Sequence, residues 1–365
     1  MSKKKINVGI LFGGKSAEHE VSLQSAKNIF EAIDRKKYNP ILIGIDKSGK
    51  WLLNNSSKFL LNADNPKLIK LNQTANRVAL VPQSNGKIAN LSRNTETGSI
   101  DVVFPILHGP FGEDGTVQGL LKLANIPFVG AGVLGSAVGM DKDVMKRLLR
   151  DAGLPIGKFI TLKSGEKIPK YKTIKKQINI PCFIKPANMG SSVGVSKINS
   201  QTEYLKAVKN ALRYDTKVLI EEYIKGREIE CSVLGNNNPI ASAPGEIISS
   251  HEFYSYEAKY IDEKGATLKV PAKISSQTAK KIQTLAIKTF EVLACEGLAR
   301  VDFFLKANGD IIINEINTMP GFTKISMYPK LWEISGISYT KLIDKLIQLA
   351  IERFNKEKNL KTNYI

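Results

Sequence analysis

Residues 298–317 restrict the fold more than any other stretch, because their pattern predicts a β-hairpin. Two runs in which apolar and polar residues alternate flank the dipeptide Asn308-Gly309. Such a dipeptide favours a two-residue type I′ turn, in which both central residues need φ > 0. In that turn Ala307 would pair with Asp310. This pairing would fix which residues lie opposite each other along the whole hairpin.

Counting outwards from the predicted turn places two carboxylates opposite each other. Asp302 falls across from Glu315 and Arg300 across from Asn317, and all four share one face because side chains alternate along a strand. Opposed carboxylates about 5 Å apart at Cβ repel each other. A divalent cation would explain the pair, because Asp, Glu and Asn oxygens suit Mg²⁺. The alternative is that Arg300 neutralises an ordinary solvated face, and the hairpin alone leaves both interpretations open.

The composition is that of an ordinary globular protein with a strong basic excess. The chain of 365 residues is long enough for two or three domains, and 42% of it is hydrophobic. Lysine and arginine number 53 against 34 acidic residues, which gives a formal net charge of +19. Such a charge allows binding to nucleic acid, anionic lipid or phosphorylated ligands. Because the basic residues are spread along the chain, without the signature of a nucleic-acid module, a generally basic surface is favoured over a dedicated nucleic-acid-binding face.

The cysteines and the N-terminus predict a soluble, cytoplasmic protein. Cys182, Cys231 and Cys295 are far apart and form no Cys-x-x-Cys motif, so a reducing compartment without disulfides is expected. The apolar run at residues 8–12 is too short for the core of a signal peptide. No run approaches the ~18 apolar residues of a membrane span.

The first third of the chain predicts a parallel α/β sheet. Apolar runs at residues 6–12, 41–45 and 101–107 read as strands, and helical patterns follow the first and the last of them. Ligands of such sheets lie beyond the carboxyl ends of the strands, where two glycines and His108 occur here. Residues 54–99 are polar and predict an irregular insertion or a small hairpin.

Three further features suggest a ligand site, although each has a plain structural alternative. The Gly- and Ser-rich loop 187–194 follows a strand that ends at Lys185, and its N–H groups could hold phosphates, but a simple hairpin turn would look the same. Lys142 at the start of a helix could contact phosphate, or simply be solvated. The segment 253–260 has three tyrosines and could be a lid, or an amphipathic surface segment.

The order of these motifs resembles that of the D-alanine–D-alanine ligase family, within the ATP-grasp superfamily. The matching stretches, from Gly13 to about Pro329, are GGKSAEHEVS, HGPFGEDG, MDKDVMK, KPANMGSSVGVSK, VLIEEYIKGREIE, FYSYEAKY, LARVDFF and NEINTMPGFTKIS. The resemblance implies an ATP-grasp fold of three α/β domains. These would be an N-terminal Rossmann-like substrate domain with a parallel sheet (1–134), a small central domain (135–225) and a C-terminal catalytic domain (226–365). ATP would bind between the last two.

The resemblance also implies roles for individual residues. The residues expected to bind ATP are Lys142, Lys185, Ser192, Glu221, Glu222, Ile224 and Glu228. Those expected to ligate two Mg²⁺ or Mn²⁺ ions are Asp302, Glu315 and Asn317. Catalytic roles are implied for Glu18, Ser191, Tyr260 and Arg300. Substrate contacts are implied for His108, Gly321, Ser326 and Met327.

The activity implied by the resemblance is ATP-dependent joining of two D-alanine molecules through a D-alanyl phosphate, for peptidoglycan precursors. The implied partners are D-alanine and ATP, with no nucleic acid and no membrane, and the family implies a homodimer. One alternative is a ligase of the same superfamily that uses D-lactate or another D-amino acid. The presence of Tyr260 favours the dipeptide. A more distant alternative is a non-catalytic, basic nucleic-acid-binding protein.

Overall fold

The computed structural model describes residues 4–361, apart from 55–58, 64, 66–67, 73–75, 94 and 250–265. The tyrosine-rich segment 253–260, with Tyr260, therefore lies outside the described residues. The described strands form three larger sheets and one short two-stranded ladder, so the predicted α/β class is confirmed. Within these residues no helix has both the length and the apolar character that a membrane span requires.

The N-terminal sheet has seven strands in the order β8-β7-β6-β3-β2-β1-β9. Its elements are β1 (Ile6–Gly13), α1 (His19–Ala32), β2 (Tyr38–Ile45), β3 (Trp51–Asn54), β4 (Leu60–Leu61), β5 (Lys70–Leu71), β6 (Asn76–Leu80), β7 (Lys87–Asn90), β8 (Thr95–Ser99), β9 (Val102–Ile106), α2 (Thr116–Leu123) and α3 (Val133–Met140), with β4 and β5 forming the separate ladder. β1 pairs in parallel with β2 and β9, as the strand–helix alternation predicts. Residues 54–99 are predicted as an irregular insertion or a small hairpin. In the structure, β6, β7 and β8 of this segment extend one edge of the sheet beyond β3.

The central unit is a four-stranded antiparallel sheet in the order β10-β13-β11-β12. Its elements are α4 (Lys142–Asp151), β10 (Phe159–Lys163), α5 (Tyr171–Gln177), β11 (Cys182–Pro186), β12 (Ser196–Ile198), α6 (Gln201–Ala211) and β13 (Lys217–Glu222). Helix α4 begins after Asp141, whose side chain accepts hydrogen bonds from the N–H groups of Asp143 and Val144. One face of the sheet packs on α5 and α6 in an apolar core. The alternation of side chains then leaves Lys185 and Glu221 together on the other face.

The C-terminal sheet has the order β17-β16-β14-β18-β19, with β15 paired to β14. Its elements are β14 (Arg227–Gly235), β15 (Ile240–Ala241), β16 (Gly245–Ser249), β17 (Ala266–Lys269), α7 (Ser276–Val292), β18 (Gly297–Leu305), β19 (Ile311–Asn317), α8 (Met327–Ile334) and α9 (Tyr339–Lys358). Val301 and Phe303 of β18 share a buried cluster with Phe290 of α7. The polar side chains of β18 therefore face away from α7. The domain limits at 134/135 and 225/226 remain predictions.

The hairpin forms, but its predicted two-residue turn is wrong. The N–H of Gly309 donates to the carbonyl of Lys306 at 3.0 Å, and the N–H of Lys306 donates to the carbonyl of Asp310 at 2.9 Å. Lys306 therefore pairs with Asp310, which leaves a three-residue loop of Ala307, Asn308 and Gly309. Such a loop needs a left-handed residue at its last position, and Gly309, with φ of 89°, supplies it.

A β-bulge on β19 restores the predicted pairing beyond the turn. The register shifts between Asp302 and Phe303, so Asp302 lies opposite Glu315 although Phe303 lies opposite Ile313. The extra residue is Asn314. The predicted register would have put Asn314 opposite Phe303, on the apolar face. The observed register buries Ile313 there instead. The three-residue loop and the bulge are therefore both explained, because together they keep the polar side chain of Asn314 off the buried face.

Helix α9 joins the N-terminal and C-terminal units. Its apolar face shares one buried cluster with strands of the N-terminal sheet. Arg353, which is 7% exposed, donates to the carbonyl of Gly130 and, at 2.8 Å, to that of Phe128. The same guanidinium lies 3.3 Å from the Glu296 carboxylate. One buried side chain therefore fixes the segment after the N-terminal sheet against the C-terminal unit.

The Arg353→Met substitution should lower the free energy of unfolding by about 3 kcal/mol, because it leaves two buried carbonyls without a donor and Glu296 without its cation. Chemical denaturation followed by circular dichroism would measure the loss. The matched control is Lys356→Met, which removes one exposed charge from the same helix and should cost no more than about 0.5 kcal/mol. An equal effect of both substitutions would contradict the anchoring role of Arg353.

Candidate active site

A row of carboxylates crosses three strands of the C-terminal sheet. Glu230 pairs with Asp302 across β14 and β18, and Asp302 pairs with Glu315 across β18 and β19. Side chains directly opposite each other on one face are close enough to repel. Glu230 was missed because the sequence does not reveal that β14 lies beside the hairpin. The alternation of Glu228 and Glu230 within REIE was the available signal.

Arg300 neutralises this row from the neighbouring position. Its Nε and Nη2 each lie 2.7 Å from one oxygen of Asp302, and its Nε lies 2.9 Å from Glu230. Asn317 Nδ2 donates to the second oxygen of Asp302 at 2.9 Å. Burial lowers the pKa of Arg300, but Asp302 and Glu230 outweigh it and raise the pKa well above its ordinary value. The guanidinium therefore stays charged, and the predicted grouping of Arg300, Asp302, Glu315 and Asn317 on one face is confirmed.

Lys142 connects the hairpin to the Gly/Ser loop of the central unit. Its Nζ donates to the carbonyl of Met189 at 2.8 Å and lies 3.6 Å from the Glu315 carboxylate. Its backbone N–H donates to the carbonyl of Ala187 at 3.1 Å. Lys142 is 8% exposed, so this lysine is not a solvated helix start. It places a positive charge between the loop and the carboxylate row.

The base of the Gly/Ser loop is held by the carboxylate of Asp215. The backbone N–H and the side chain of Asn188 both donate to Asp215, at 2.7 and 3.0 Å. Ser191 and Ser192 have φ of 51° and 59°, in the left-handed region that few residues other than glycine adopt. Strained serines in a loop with fixed ends suit a binding function better than a simple hairpin turn.

A buried ion cluster occupies the face of the central sheet that lies opposite α5 and α6. Lys185 and Lys146 both contact the Glu221 carboxylate, and the Lys146 contact measures 3.0 Å. Burial raises the pKa of Glu221, but the two lysines outweigh it and hold the pKa below its ordinary value. Burial lowers the pKa of Lys146. Lys146 was not predicted, although it lies four residues after Lys142, on the same face of α4.

Glu18 brings the N-terminal unit to the Gly/Ser loop. The hydroxyl of Ser191 donates a hydrogen bond to the Glu18 carboxylate. A Cβ atom on Gly109 or Gly190 would come within 3.0 or 2.9 Å of a Glu18 oxygen, so a larger residue at either position would displace the Glu18 carboxylate. The predicted neighbourhood of Glu18 and Ser191 is therefore present, whereas their predicted partner Tyr260 lies outside the described residues.

His108 is held in one tautomer near Glu18. Its Nδ1 lies 2.9 Å from the carbonyl of Met319, which can only accept, so Nδ1 carries the proton. Burial lowers the pKa of His108, against the opposing influence of Glu18, and the ring stays neutral at pH 7. The other nitrogen, Nε2, is buried and has no hydrogen-bond partner among the described residues. An unpaired acceptor therefore lies at this end of the site.

Glu113 is a second residue that sequence reasoning missed. Its carboxyl accepts hydrogen bonds from the N–H groups of Gly109, at 2.8 Å, and Met319, at 3.3 Å. Burial and the nearby Glu18 raise its pKa to about 8. Glu113 and His108 therefore bind the N–H and the carbonyl of Met319, respectively. Its position in HGPFGEDG, five residues after His108, was the available signal.

The remaining predicted residues make contacts within their own loops or with neighbouring elements. The Glu222 side chain accepts from the N–H of Lys158 at 2.7 Å. Glu222 and Glu221 are adjacent on β13, so their side chains point to opposite faces, and only Glu221 faces the ion cluster. Ser326 precedes α8 and accepts from the N–H of Thr323 at 3.1 Å. Glu228 lies on the same face of β14 as Glu230. Ile224 lies against Gly157, Gly321 against Ser326, and Met327 against Gly245.

Two family models match most of the chain. The model for the D-ala D-ala ligase N-terminus matches residues 7–131, and that for the C-terminus matches residues 148–348. The D-alanine–D-alanine ligase of Oceanobacillus iheyensis is 55% identical over 363 residues, 99% of either chain. That of Shouchella clausii is 56% identical over 365 residues, 100% of this chain and 99% of the relative.

Solved structures agree with this assignment. The D-alanine–D-alanine ligase from Coxiella burnetii matches with a TM-score of 0.86 at 40% identity, over 98% of this chain and 97% of that one. The VanG D-Ala:D-Ser ligase from Enterococcus faecalis matches with a TM-score of 0.84 at 38% identity, over 95% of this chain and 100% of that one. Together with the family models, this similarity shows that the chain belongs to the D-alanine–D-alanine ligase family.

Proposed function

We propose that this protein joins two D-alanine molecules to D-alanyl-D-alanine in the cytoplasm, using ATP, to supply peptidoglycan precursors. The observation that carries the proposal is the position of Lys142. One buried ammonium group contacts both the Gly/Ser loop, at Met189, and the carboxylate row, at Glu315. A polyphosphate bound beside Lys142 would meet backbone donors on one side and metal-binding oxygens on the other.

ATP would bind between the central and C-terminal sheets. Lys142 and Lys185 would neutralise its phosphates, and the loop that contains Ser192 would cover them. Adenine would lie near Glu221 and the backbone of residues 222–224, which include Glu222 and Ile224, and Glu228 would receive the ribose hydroxyls. The buried Lys185–Glu221 contact supports this arrangement, because it keeps a cation at the end of β11, next to the Gly/Ser loop.

The residues Asp302, Glu315 and Asn317 fit Mg²⁺ or Mn²⁺. They present carboxylate and amide oxygens, the donor types that these ions prefer. Among the described residues, no three His, Cys, Asp or Glu side chains converge into a complete metal cage. Mg²⁺ usually takes one or two carboxylates and completes its shell with substrate phosphates and water, so this set suits a metal–nucleotide complex. Two such ions would neutralise charge on the transferring phosphoryl group.

The first D-alanine would bind between Glu18 and His108. Its ammonium group would donate to the Glu18 carboxylate, and the unpaired Nε2 of the neutral His108 is a suitable second acceptor. The Ser191–Glu18 hydrogen bond would couple this pocket to the Gly/Ser loop. Tyr260 would complete the set from the lid, which would exclude water from a readily hydrolysed intermediate.

The chemistry would proceed in two steps. A carboxylate oxygen of the first D-alanine attacks the γ-phosphorus of ATP, ADP leaves, and a D-alanyl phosphate forms. The free amine of the second D-alanine then attacks the acyl carbon. Arg300 and the backbone N–H of Gly321 would stabilise the oxyanion of the tetrahedral intermediate, while Ser326 and Met327 would position the second carboxylate. Loss of phosphate and a proton leaves the dipeptide.

The identity of the second substrate has alternatives. The VanG neighbour is described as a D-Ala:D-Ser ligase. A D-amino acid or D-lactate could therefore replace the second D-alanine within the same mechanism. Tyr260 favours the dipeptide. A homodimer is also proposed, on the family resemblance alone.

A phosphate-release assay tests the activity. Release should require ATP, Mg²⁺ and D-alanine together, and L-alanine should give none, because an L-isomer with its ammonium on Glu18 and its carboxylate toward ATP would point its methyl group where the D-isomer has its hydrogen. Mass spectrometry should identify D-alanyl-D-alanine as the product. Absence of turnover with D-alanine would refute the proposal, whereas turnover only after addition of D-serine or D-lactate would establish the alternative.

The carboxylate row gives a second prediction. Asp302→Ala and Glu315→Ala should each lower turnover by more than about a hundredfold, because each removes a metal ligand. Each should leave the fold intact, because removal of Glu315 lowers the repulsion within the row and removal of Asp302 still leaves Arg300 paired with Glu230. The control is Asp310→Ala in the exposed turn of the same hairpin, which should keep near-normal turnover. Near-normal activity of either ligand variant would show that the metal assignment is wrong.

A further inference from the structure

We propose that Lys146 is a positioning residue that holds the Glu221 carboxylate, so that Lys185 can leave it and bind a phosphate of ATP. This inference rests on the proposed function, in which Lys146 has no assigned role. It concerns the contact between Lys185 and Glu221, which Lys185 must give up in order to reach a phosphate.

The three side chains approach each other from different elements. Glu221 projects from β13, Lys185 from β11 and Lys146 from α4. The Lys146 ammonium lies 3.0 Å from one carboxylate oxygen of Glu221, and Lys185 contacts the other. The exposed fractions of these side chains are 3% for Lys146, and 10% each for Lys185 and Glu221. All three charges are therefore largely removed from water.

The position of Lys146 is fixed by the start of its helix. Asp141 caps α4 and also binds the Lys217 ammonium, at 2.7 and 2.6 Å. Lys217 belongs to β13, the strand that carries Glu221. Helix α4 and strand β13 are thus joined one helical turn before Lys146. Lys146 has little freedom to move, whereas Lys185 lies next to the Gly/Ser loop that would fold over ATP.

The energetic argument concerns the charge that Lys185 leaves behind. A buried carboxylate without a cation is strongly unfavourable, because neither water nor a partner compensates it. If Lys146 were absent, moving Lys185 to a phosphate would produce such a carboxylate, and ATP binding would bear that cost. With Lys146 in place, Glu221 keeps one cation throughout. The cluster holds two positive charges and one negative charge, and the extra positive charge is available to the anionic ligand.

The test is a double-mutant cycle on ATP affinity, measured by calorimetric titration of MgATP into the full-length protein without D-alanine. Lys146→Met should raise the Kd for ATP by about tenfold or more in the wild-type background. In the Glu221→Gln background no buried carboxylate is left without a cation when Lys185 moves. Lys146→Met should therefore change the Kd by less than about twofold. A role in packing alone would give the same factor in both backgrounds.

The control is Arg150→Met, which removes one positive charge from the exposed side of the same helix and should leave the Kd within about twofold of the wild-type value. If Lys146→Met does not fold, as judged by circular dichroism, Lys146→Gln takes its place with the same expectations. Equal ATP affinity of the wild type and the Lys146 variant, or equal factors in both backgrounds, would overturn the inference. Failure of the wild type itself to bind ATP would instead refute the proposed function, and the inference with it.

Discussion

The arrangement of the site depends on how Arg300 and the row Glu230, Asp302 and Glu315 balance each other's charge. Three carboxylates on adjacent strands would destabilise the sheet if they were left alone. Arg300 binds two of them, and Lys142 lies near the third. Because Lys142 comes from another unit, the carboxylate row also attracts the central unit and its Gly/Ser loop. The negative charge that causes repulsion within the C-terminal sheet therefore also attracts Lys142 of α4.

Each group of the site is supplied by a different part of the chain. The N-terminal unit supplies Glu18 and His108, the central unit supplies the lysines, and the C-terminal unit supplies the carboxylates. The contacts Ser191–Glu18 and His108–Met319 join the N-terminal unit to the other two units. Arg353 of α9 adds a further contact, to the carbonyl of Gly130 after the N-terminal sheet. Lys146 contacts Glu221, which has a proposed role, whereas Glu113 holds Met319, whose carbonyl accepts from His108.

Sequence reasoning recovered what short-range patterns encode. The face shared by Arg300 and Asp302 followed from alternation, and the parallel N-terminal strands followed from the order of strands and helices. The predicted two-residue turn is wrong because the register it sets would put Asn314 on the buried face, a cost that outweighs the preference of Asn308-Gly309 for that turn. The position of Glu230 beside the hairpin could not be predicted, since the pairing of β14 with the distant β18 leaves no local signal. The edge strands β6, β7 and β8 were missed because they are short and rich in polar residues. Lys146 was detectable from its helical spacing but looked like an ordinary surface lysine.

The most direct test of the central claim, that the hairpin register builds a metal–nucleotide site, is a count of bound Mn²⁺ by electron paramagnetic resonance. The titration would use the wild type and Asp302→Asn, each with a non-hydrolysable ATP analogue. The wild type should bind two Mn²⁺ ions per chain, and Asp302→Asn, which keeps the shape but removes the charge, should bind fewer. Equal binding by both proteins, or no nucleotide-dependent binding by the wild type, would contradict this account.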